Sequence, residues 1–321
     1  MIETDILVIG AGLAGLTLAR VLAGHGEKVV VLEKSKSPGG RLSTRRSDFG
    51  SFDHGAQYLT SRTSGFTSLL NEFSQSGDLA PWDPNGKDSA RSWWVGKPGM
   101  SEIGKSMARD LDIKYDTRVI GIVKQDRKFL VHTEGRSEAG PDYLASRVVP
   151  ATPAPQALEL LSPLDPAFVR LKKVAMAPCW SAMLAFDARL QGVPDLIRGQ
   201  EPDVLSLIAR NGSKPARTGE TFVLHATPQW SREHIESERN AVKYAMVSAM
   251  RVQTGLDENL PDPVHCEVHR WLYALVETPL DQPFLGNREN TLFACGDWCI
   301  GGRAEAAHQS AQALARHIMS L

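Results

Sequence analysis

The chain is poor in cysteine and tyrosine, has no excess of either charge, and contains no long apolar run. The four cysteines among 321 residues, Cys179, Cys266, Cys295 and Cys299, are spaced neither as C-x-x-C nor as ligand pairs, which excludes a disulfide framework or zinc site and leaves packing thiols. No apolar stretch approaches the roughly 18 residues needed to cross a bilayer. Glu3 and Asp5 stand where a signal peptide would carry its basic flank, so a cytoplasmic protein is expected. With 36 basic against 37 acidic side chains the net charge is -1, and no basic run is interleaved with aromatics. Neither nucleic acid nor a membrane surface is an expected partner. Hydrophobic residues at 42% and charged residues at 23% mark an ordinary globular protein with room for two domains.

What the chain does have is a dense opening. An apolar run, Ile6 to Ile9, is short enough for one buried parallel strand. Gly10-Ala11-Gly12-Leu13-Ala14-Gly15 follows, fitting G-x-G-x-x-G with a strand before it and a helix, about Leu13 to Ala23, after it. The first glycine makes the tight turn, the second lets backbone approach a pyrophosphate, and the third lets helix and strand pack closely. The helix aims its free N–H groups and positive dipole end at the phosphates. A second strand, Lys28 to Leu32, ends at Glu33, whose carboxylate suits a ribose diol and repels a 2′-phosphate. FAD or NAD is therefore favoured over NADP. Gly39-Gly40-Arg41 follows closely enough for Arg41 to reach the same pyrophosphate.

Phe52 to Thr60 puts small residues, Gly55 and Ala56, where a flat ring needs close approach of the backbone. The spacing predicts a helix over Phe66 to Phe73, a break at Pro81 to Gly86, a core tryptophan among Trp93 and Trp94, and a helix from Ser101 to about Leu111. Strands are expected at Thr117 to Val123, Lys128 to Thr133 and Arg147 to Val149, then at Trp180 to Phe186, Val204 to Ala209, Thr221 to Ala226 and Val264 to Ala274. A long helix is expected from about Arg232 to Val252. His265 and His269 share a strand face but lie about 13 Å apart by strand rise, which is not a metal pair. The last apolar strand ends in Gly296-Asp297, and Gly301-Gly302-Arg303 introduces a helix from Ala304 to about His317. Asp297 is placed to bond a polyol hydroxyl.

Together these residues resemble the FAD-dependent oxidoreductases that include amine oxidases, phytoene desaturases and renalases. The stretches GGRLSTRR, FDHGAQYLT, WVGKPGMS, HRWLYA and CGDWCIGGRAEAAHQSAQALA look most like bacterial renalase-type proteins. The resemblance implies a p-hydroxybenzoate hydroxylase-like fold, α/β plus α+β. A discontinuous Rossmann-like FAD domain (1–60, 100–153 and 285–321) would carry an antiparallel-sheet substrate domain (61–99 and 154–284). It also implies non-covalent FAD held by Gly10, Ala11, Gly12, Ala14, Gly15, Glu33, Lys34, Gly40, Arg41, Ala56, Gln57, Val119, Asp297 and Ala307. Val119 would meet adenine through its backbone and Asp297 the ribityl chain. The expected substrate walls are Gln57, Tyr58, Leu59, Val95, Gly96, Met183, Phe186, Trp271 and Arg303.

One departure shapes the functional expectation. Amine oxidases of that group bring an aromatic residue to the substrate from a G-Y-M-E-G-A-like segment, and here Arg303 stands in its place. A fixed cation suits phosphate or carboxylate better than a protonatable amine. The resemblance thus implies oxidation of 2- or 6-dihydro isomers of NAD(P)H to NAD(P)+ with O2 reduced to H2O2. That chemistry needs no side-chain base and no metal. An amine oxidase, a desaturase and a flavin-binding protein without turnover are the alternatives.

Overall fold

The computed structural model describes residues 1–86, 93–135, 140–256 and 259–321. The chain forms two compact units, Met1–Gly40, Ile103–Met176 and Val276–Leu321 in the first, Arg41–Glu102 and Ala177–Leu275 in the second. Residues 41–60 and 100–102, expected with the nucleotide domain, fall in the second unit, and residues 154–176 and 276–284 in the first.

The first unit holds a six-stranded sheet in the order Asp112–Lys114, Val29–Leu32, Ile2–Ile9, Tyr143–Pro150, Lys128–Glu134, Arg118–Gln125. Ile2–Ile9 pairs in parallel with both neighbours, Ile6 opposite Val29 and Arg147. The last two strands run antiparallel. Every residue of Val29–Leu32 is buried, as expected of a parallel strand covered on both faces, which is why the run shows no alternation. One core gathers Leu7, Val30 and Val148 with Leu161, Phe168 and Trp298. The helices Leu13–Gly24 and Ala304–Met319 pack against each other.

The second unit is built on a five-stranded sheet ordered Leu196–Arg198, Leu205–Arg210, Glu220–Ala226, Ala175–Phe186, His265–Thr278. Met183 lies opposite Val223 and Ile208 opposite Leu224 in antiparallel register. The helix Arg239–Thr254 turns the stripe Val242, Met246, Met250 onto Leu184, Phe186, Ile208 and Leu224, the i, i+4 pattern of an amphipathic helix.

Three local expectations are corrected. The helix expected over Arg232 to Val252 is two, Pro228–Glu233 and Arg239–Thr254. The carbonyls needed to continue the first are taken by side chains: His234 O accepts from Trp180 Nε1 at 3.0 Å, and Ile235 O from Arg270 Nη1. The helix from Ser101 ends at Met107, and Asp110, with φ 63, has left helical geometry. Trp93 and Trp94 are both only half-buried, and the core tryptophan of this region is Trp82, at 5% exposure.

Candidate functional site

In the first unit the glycine turn is fixed by backbone. Gly10 has φ +104, and its N–H donates to Leu32 O at 2.8 Å. A Cβ on Gly15 would stand 2.0 Å from Gly10 O, so only glycine lets the helix start this close to the strand. Gly39 donates to Ala11 O at 2.8 Å, and a Cβ on Gly40 would sit 3.3 Å from Gly12 Cα. The Gly39-Gly40 segment is therefore laid against the G-x-G turn. Gly12 itself is different, since a Cβ there meets nothing within 4 Å. It caps a helix that has no side-chain cap, so the first-turn N–H groups have no side-chain acceptor. That open, donor-lined approach fits a diphosphate.

Glu33 is 6% exposed, and each of its oxygens accepts a backbone hydrogen bond, Oε2 from Ala11 N at 2.7 Å and Oε1 from Ser35 N at 2.8 Å. The carboxylate thus fastens the turn as well as standing at the strand end, and a carboxylate retains further acceptor sites for hydroxyls. Ala11 and Ala14, at 0% and 5% exposure, lie beneath the turn, and the Ala11 N–H is already spent on Glu33. Lys34 and Gly40 are exposed. Thr117 N donates to Glu33 O at 2.9 Å, which sets the start of the strand bearing Val119 beside Glu33. Asp297 is 5% exposed and begins the short helix Asp297–Cys299, accepting through its carbonyl from Ile300 and Gly301. Ala307 lies in the first turn of Ala304–Met319, where Arg303 is the N-cap. Arg303 Nη2 stands 3.3 Å from Oε2 of Glu305, which is 4% exposed.

In the second unit the organising feature is a buried charged knot. Asp53, Lys214 and Arg217 each have fully buried side chains. Asp53 Oδ1 accepts from Thr44 Oγ1 at 2.7 Å and Met100 N at 2.9 Å, and Oδ2 from Lys214 Nζ at 3.1 Å and Arg217 Nη2 at 2.6 Å. Lys214 also donates to Gln57 Oε1 at 3.0 Å and Asn211 Oδ1 at 3.2 Å, and Arg217 Nη1 donates to Gly96 O at 2.6 Å. One carboxylate therefore joins the segments around Thr44, Gln57, Gly96 and Lys214. Burial pushes the Asp53 carboxyl up, but Lys214 and then Arg217 outweigh it and hold it at about 2. Burial pushes Lys214 down most, with Asp53 opposing and Arg217 adding, to about 8.

Beside the knot lies an imidazole and indole wall. His54 stacks on Trp271 at 5.2 Å and meets His269 edge-on at 5.0 Å. Trp271 Nε1 donates to His54 O at 3.0 Å, and His225 Nε2 faces Gln57 Nε2 at 3.4 Å. Burial, then His269 and Arg45, depress His54 to about 3; burial is also the leading cause for His225 and His269, each held at about 4. All three rings are neutral at physiological pH. Burial pushes the Cys179, Cys266 and Cys299 thiols up to about 12, 11 and 12, so they stay protonated. His265 stacks on Phe49 and Phe52 instead of facing His269.

The remaining expected residues divide. Ala56 N donates to Arg41 O at 2.8 Å, a Cβ on Gly55 would lie 2.1 Å from Arg41 O, and Arg41 Nη1 donates to Ala274 O at 2.9 Å. Tyr58 and Trp271 are half-buried. Leu59, Val95 and Phe186, expected as substrate walls, are core residues at 2%, 0% and 5% exposure. Leu59 exchanges backbone bonds with Trp94. Met183 and Phe186, three apart on one strand, face opposite sides of the sheet: Met183 packs with Phe52 and Val223, while Phe186 joins the helix-covered core. Gly96 has both backbone groups engaged internally, its N–H with Met100 Sδ at 3.3 Å and its carbonyl with Arg217. Lys214, Arg217, Asn211 and His225 carry no motif in the sequence, and Asp53 and His54 stand in a stretch that shows no role for them. The only signal was a loop, Asn211-Gly212-Ser213-Lys214-Pro215-Ala216-Arg217, with two cations among turn formers.

A groove of about 710 Å³ in the first unit, lined by Asp5, Glu27, Lys124, Arg127, Arg147 and Glu289 among others, contains none of these residues. Among the described residues no helix is long and apolar enough to cross a membrane, and no cluster could hold a metal ion.

Two family descriptions match, "NAD(P)-binding Rossmann-like domain" over residues 8–73 and "Flavin containing amine oxidoreductase" over residues 85–319, well over half of the chain. Similar curated proteins include the L-amino-acid oxidase of Daboia russelii, 58% identical over 41 residues, which are 13% of this chain and 8% of that protein. The L-amino-acid oxidase of Trimeresurus stejnegeri is 39% identical over 84 residues, 23% of this chain and 16% of that one. The chain thus spans under a fifth of these relatives. Among solved structures, a putative protoporphyrinogen oxidase from Exiguobacterium superposes with TM-score 0.76 at 12% identity over 98% of both chains. Wild-type putrescine oxidase bound to putrescine superposes with TM-score 0.72 at 13% identity over 100% of both chains. The fold is shared with both.

Proposed function

Because the chain belongs to the flavin-containing amine oxidoreductases, a flavin-dependent oxidoreductase family whose cofactor here is FAD, we propose that it oxidises 2- or 6-dihydro isomers of NAD(P)H to NAD(P)+, with O2 and a proton giving H2O2. Bound FAD supplies the hydride acceptor and the route of two electrons to O2. The chain's residues supply holding and exclusion. Gly12, with the N–H groups of the helix it caps, would hold the diphosphate, with Lys34 and Gly40 along it. Glu33 would take the ribose through its remaining lone pairs, Val119 the adenine and Asp297 the ribityl chain. On the second unit Ala56 and Gln57 would meet the flavin ring and Tyr58 and Trp271 the substrate.

The observation that carries this reading is the charge of the buried knot beside Gln57. The knot contains two cations and one anion, and the imidazoles next to Gln57 are neutral. A protonated amine is repelled by such a site, while a flat neutral ring bearing a diphosphate is attracted. Removal of hydride makes the pyridine ring aromatic, so the reaction needs positioning and no side-chain base. Amine oxidation remains the second reading on one observation: Glu305 lies 3.3 Å from Arg303 and offsets its charge.

Anaerobic mixing of the FAD-loaded protein with purified dihydronicotinamide isomers, and separately with primary amines, tests the choice. The isomers are expected to bleach the flavin band rapidly. Bleaching by amines and not by isomers overturns the proposal.

A further inference from the structure

We propose that Arg198, held on the faces of Tyr58 and Trp93, is an anion clamp that binds the diphosphate of a nucleotide substrate. The inference rests on the reading of Tyr58 as a substrate residue and deepens it, because it names the part of the substrate recognised away from the reacting ring.

Tyr58 and Trp93 stack at 4.1 Å with planes 18° apart. The Arg198 guanidinium lies 5.6 Å from the Tyr58 centroid and 5.5 Å from that of Trp93, and its Nη2 donates to Tyr58 Oη. A guanidinium has five N–H donors in a planar fork, so one bond to a phenol leaves most of the fork for another acceptor. Arg198 is exposed, yet among the described residues it has no carboxylate partner. Four partly exposed arginines are paired, Arg45 with Glu267, Arg46 with Glu102, Arg118 with Glu134 and Arg251 with Asp262; what sets Arg198 apart is the pair of stacked rings that holds it. An exposed cation fixed by two rings is preorganised for a phosphate, since much of the entropy of holding the side chain has already been lost.

The layer beneath strengthens the field. Trp82 lies 6.3 Å from Tyr58 and 6.1 Å from Trp93, and the Lys214 ammonium lies 5.4 Å from its ring centroid. Three aromatic rings therefore lie between a buried cation and an exposed one. Tyr58 directly follows Gln57, which Lys214 holds at 3.0 Å. The clamp is thus tied through one peptide bond to the loop proposed to meet the flavin ring. A diphosphate takes a guanidinium in two parallel charge-assisted hydrogen bonds, which a lone lysine does not reproduce.

The test uses FAD-loaded protein and two variants, Arg198→Ala and Arg198→Lys. Because the side chain is exposed, both are expected to retain the wild-type flavin spectrum and melting temperature. Titration with ADP-ribose, read by calorimetry, is expected to show binding by the wild type that weakens about tenfold or more in Arg198→Ala and by less in Arg198→Lys. In turnover, KM for the dihydronicotinamide dinucleotide is expected to rise by a similar factor while kcat stays, with KM for the phosphate-free dihydronicotinamide riboside unmoved. The proposal is overturned if the wild type does not bind ADP-ribose, if Arg198→Ala binds it equally well, or if the two KM values rise together. The titration needs no turnover. Amine-driven bleaching in the wild type would therefore sink the functional reading while Arg198-dependent ADP-ribose binding still supported the clamp.

Discussion

The glycine turn of the first unit and the charged knot of the second both position candidate residues, and they do it by opposite means. In the first, backbone meets backbone within a stretch of 40 residues, and what matters is the absence of side chains at Gly10 and Gly15. In the second, side chains from segments as far apart as Asp53 and Arg217, 164 positions in sequence, share one carboxylate. The turn is rigid because nothing larger fits. The knot is rigid because every partner would be costly to leave unpaired. A backbone device should therefore fail by volume, and a charge device by loss of a partner.

The most damaging change expected is Gly15→Val. Its Cβ would overlap the Gly10 carbonyl at 2.0 Å, a backbone atom that can move only if strand and helix separate. Loss of soluble, yellow protein is expected, and normal yield with bound FAD would break the volume argument. Asp53→Ala comes next. It strands two cations in a fully buried site, a loss of about 3–5 kcal/mol that should show as a lower urea midpoint. Six of the seven tryptophans lie in the second unit, Trp298 being the exception, so intrinsic fluorescence reports on the unit concerned. Asp53→Asn, which keeps an acceptor oxygen, should recover part of the loss. Equal midpoints for wild type and Asp53→Ala would show that the knot contributes nothing.

The same contrast explains what could be read from the chain. The glycine motif, Glu33 and the parallel sheet were legible because their causes are local: a short apolar run, glycines at fixed offsets and an acid at the strand end. Which face of its strand Phe186 takes was not legible, because a strand puts alternate residues on opposite faces and the covered face depends on where Arg239–Thr254 docks. The knot was invisible for a related reason. Lys214 and Arg217 sit in a loop whose composition suits a solvated turn, and only closure of the chain brings Asp53 to them. Glu33 illustrates an intermediate case, its position foreseen and its grip on Ala11 N at 2.7 Å not.

Acid should separate the two regions further. His54, His225 and His269 are held, chiefly by burial, at about 3, 4 and 4, below the ordinary 6.5. As pH falls, the unfolded chain therefore takes up protons first, and stability present above pH 6.5 is lost progressively toward about pH 3. Asp53 adds a second loss only below its ordinary 3.8, as pH approaches about 2. These histidines all belong to the second unit. Urea midpoints measured by tryptophan fluorescence should decline between pH 6.5 and pH 3, and His54→Gln should make that decline shallower. An unchanged slope in the variant would remove His54 from the account.

The smallest expected effect on stability is the sharpest probe of the first unit. Gly12→Ala adds a methyl group where nothing in the chain lies within 4 Å, unlike any change at Gly15, so the fold has no reason to notice it. Alanine is also acceptable there by backbone geometry, since Gly12 has φ -77 and ψ 179. The methyl does enter the space in front of the first-turn N–H groups, where a diphosphate must come within hydrogen-bond distance. The apoprotein should therefore melt with the wild type while FAD affinity falls roughly tenfold, about 1.4 kcal/mol, measured by flavin fluorescence on titration. If affinity holds and the melting temperature drops instead, the open face of Gly12 is packing space and the diphosphate lies elsewhere.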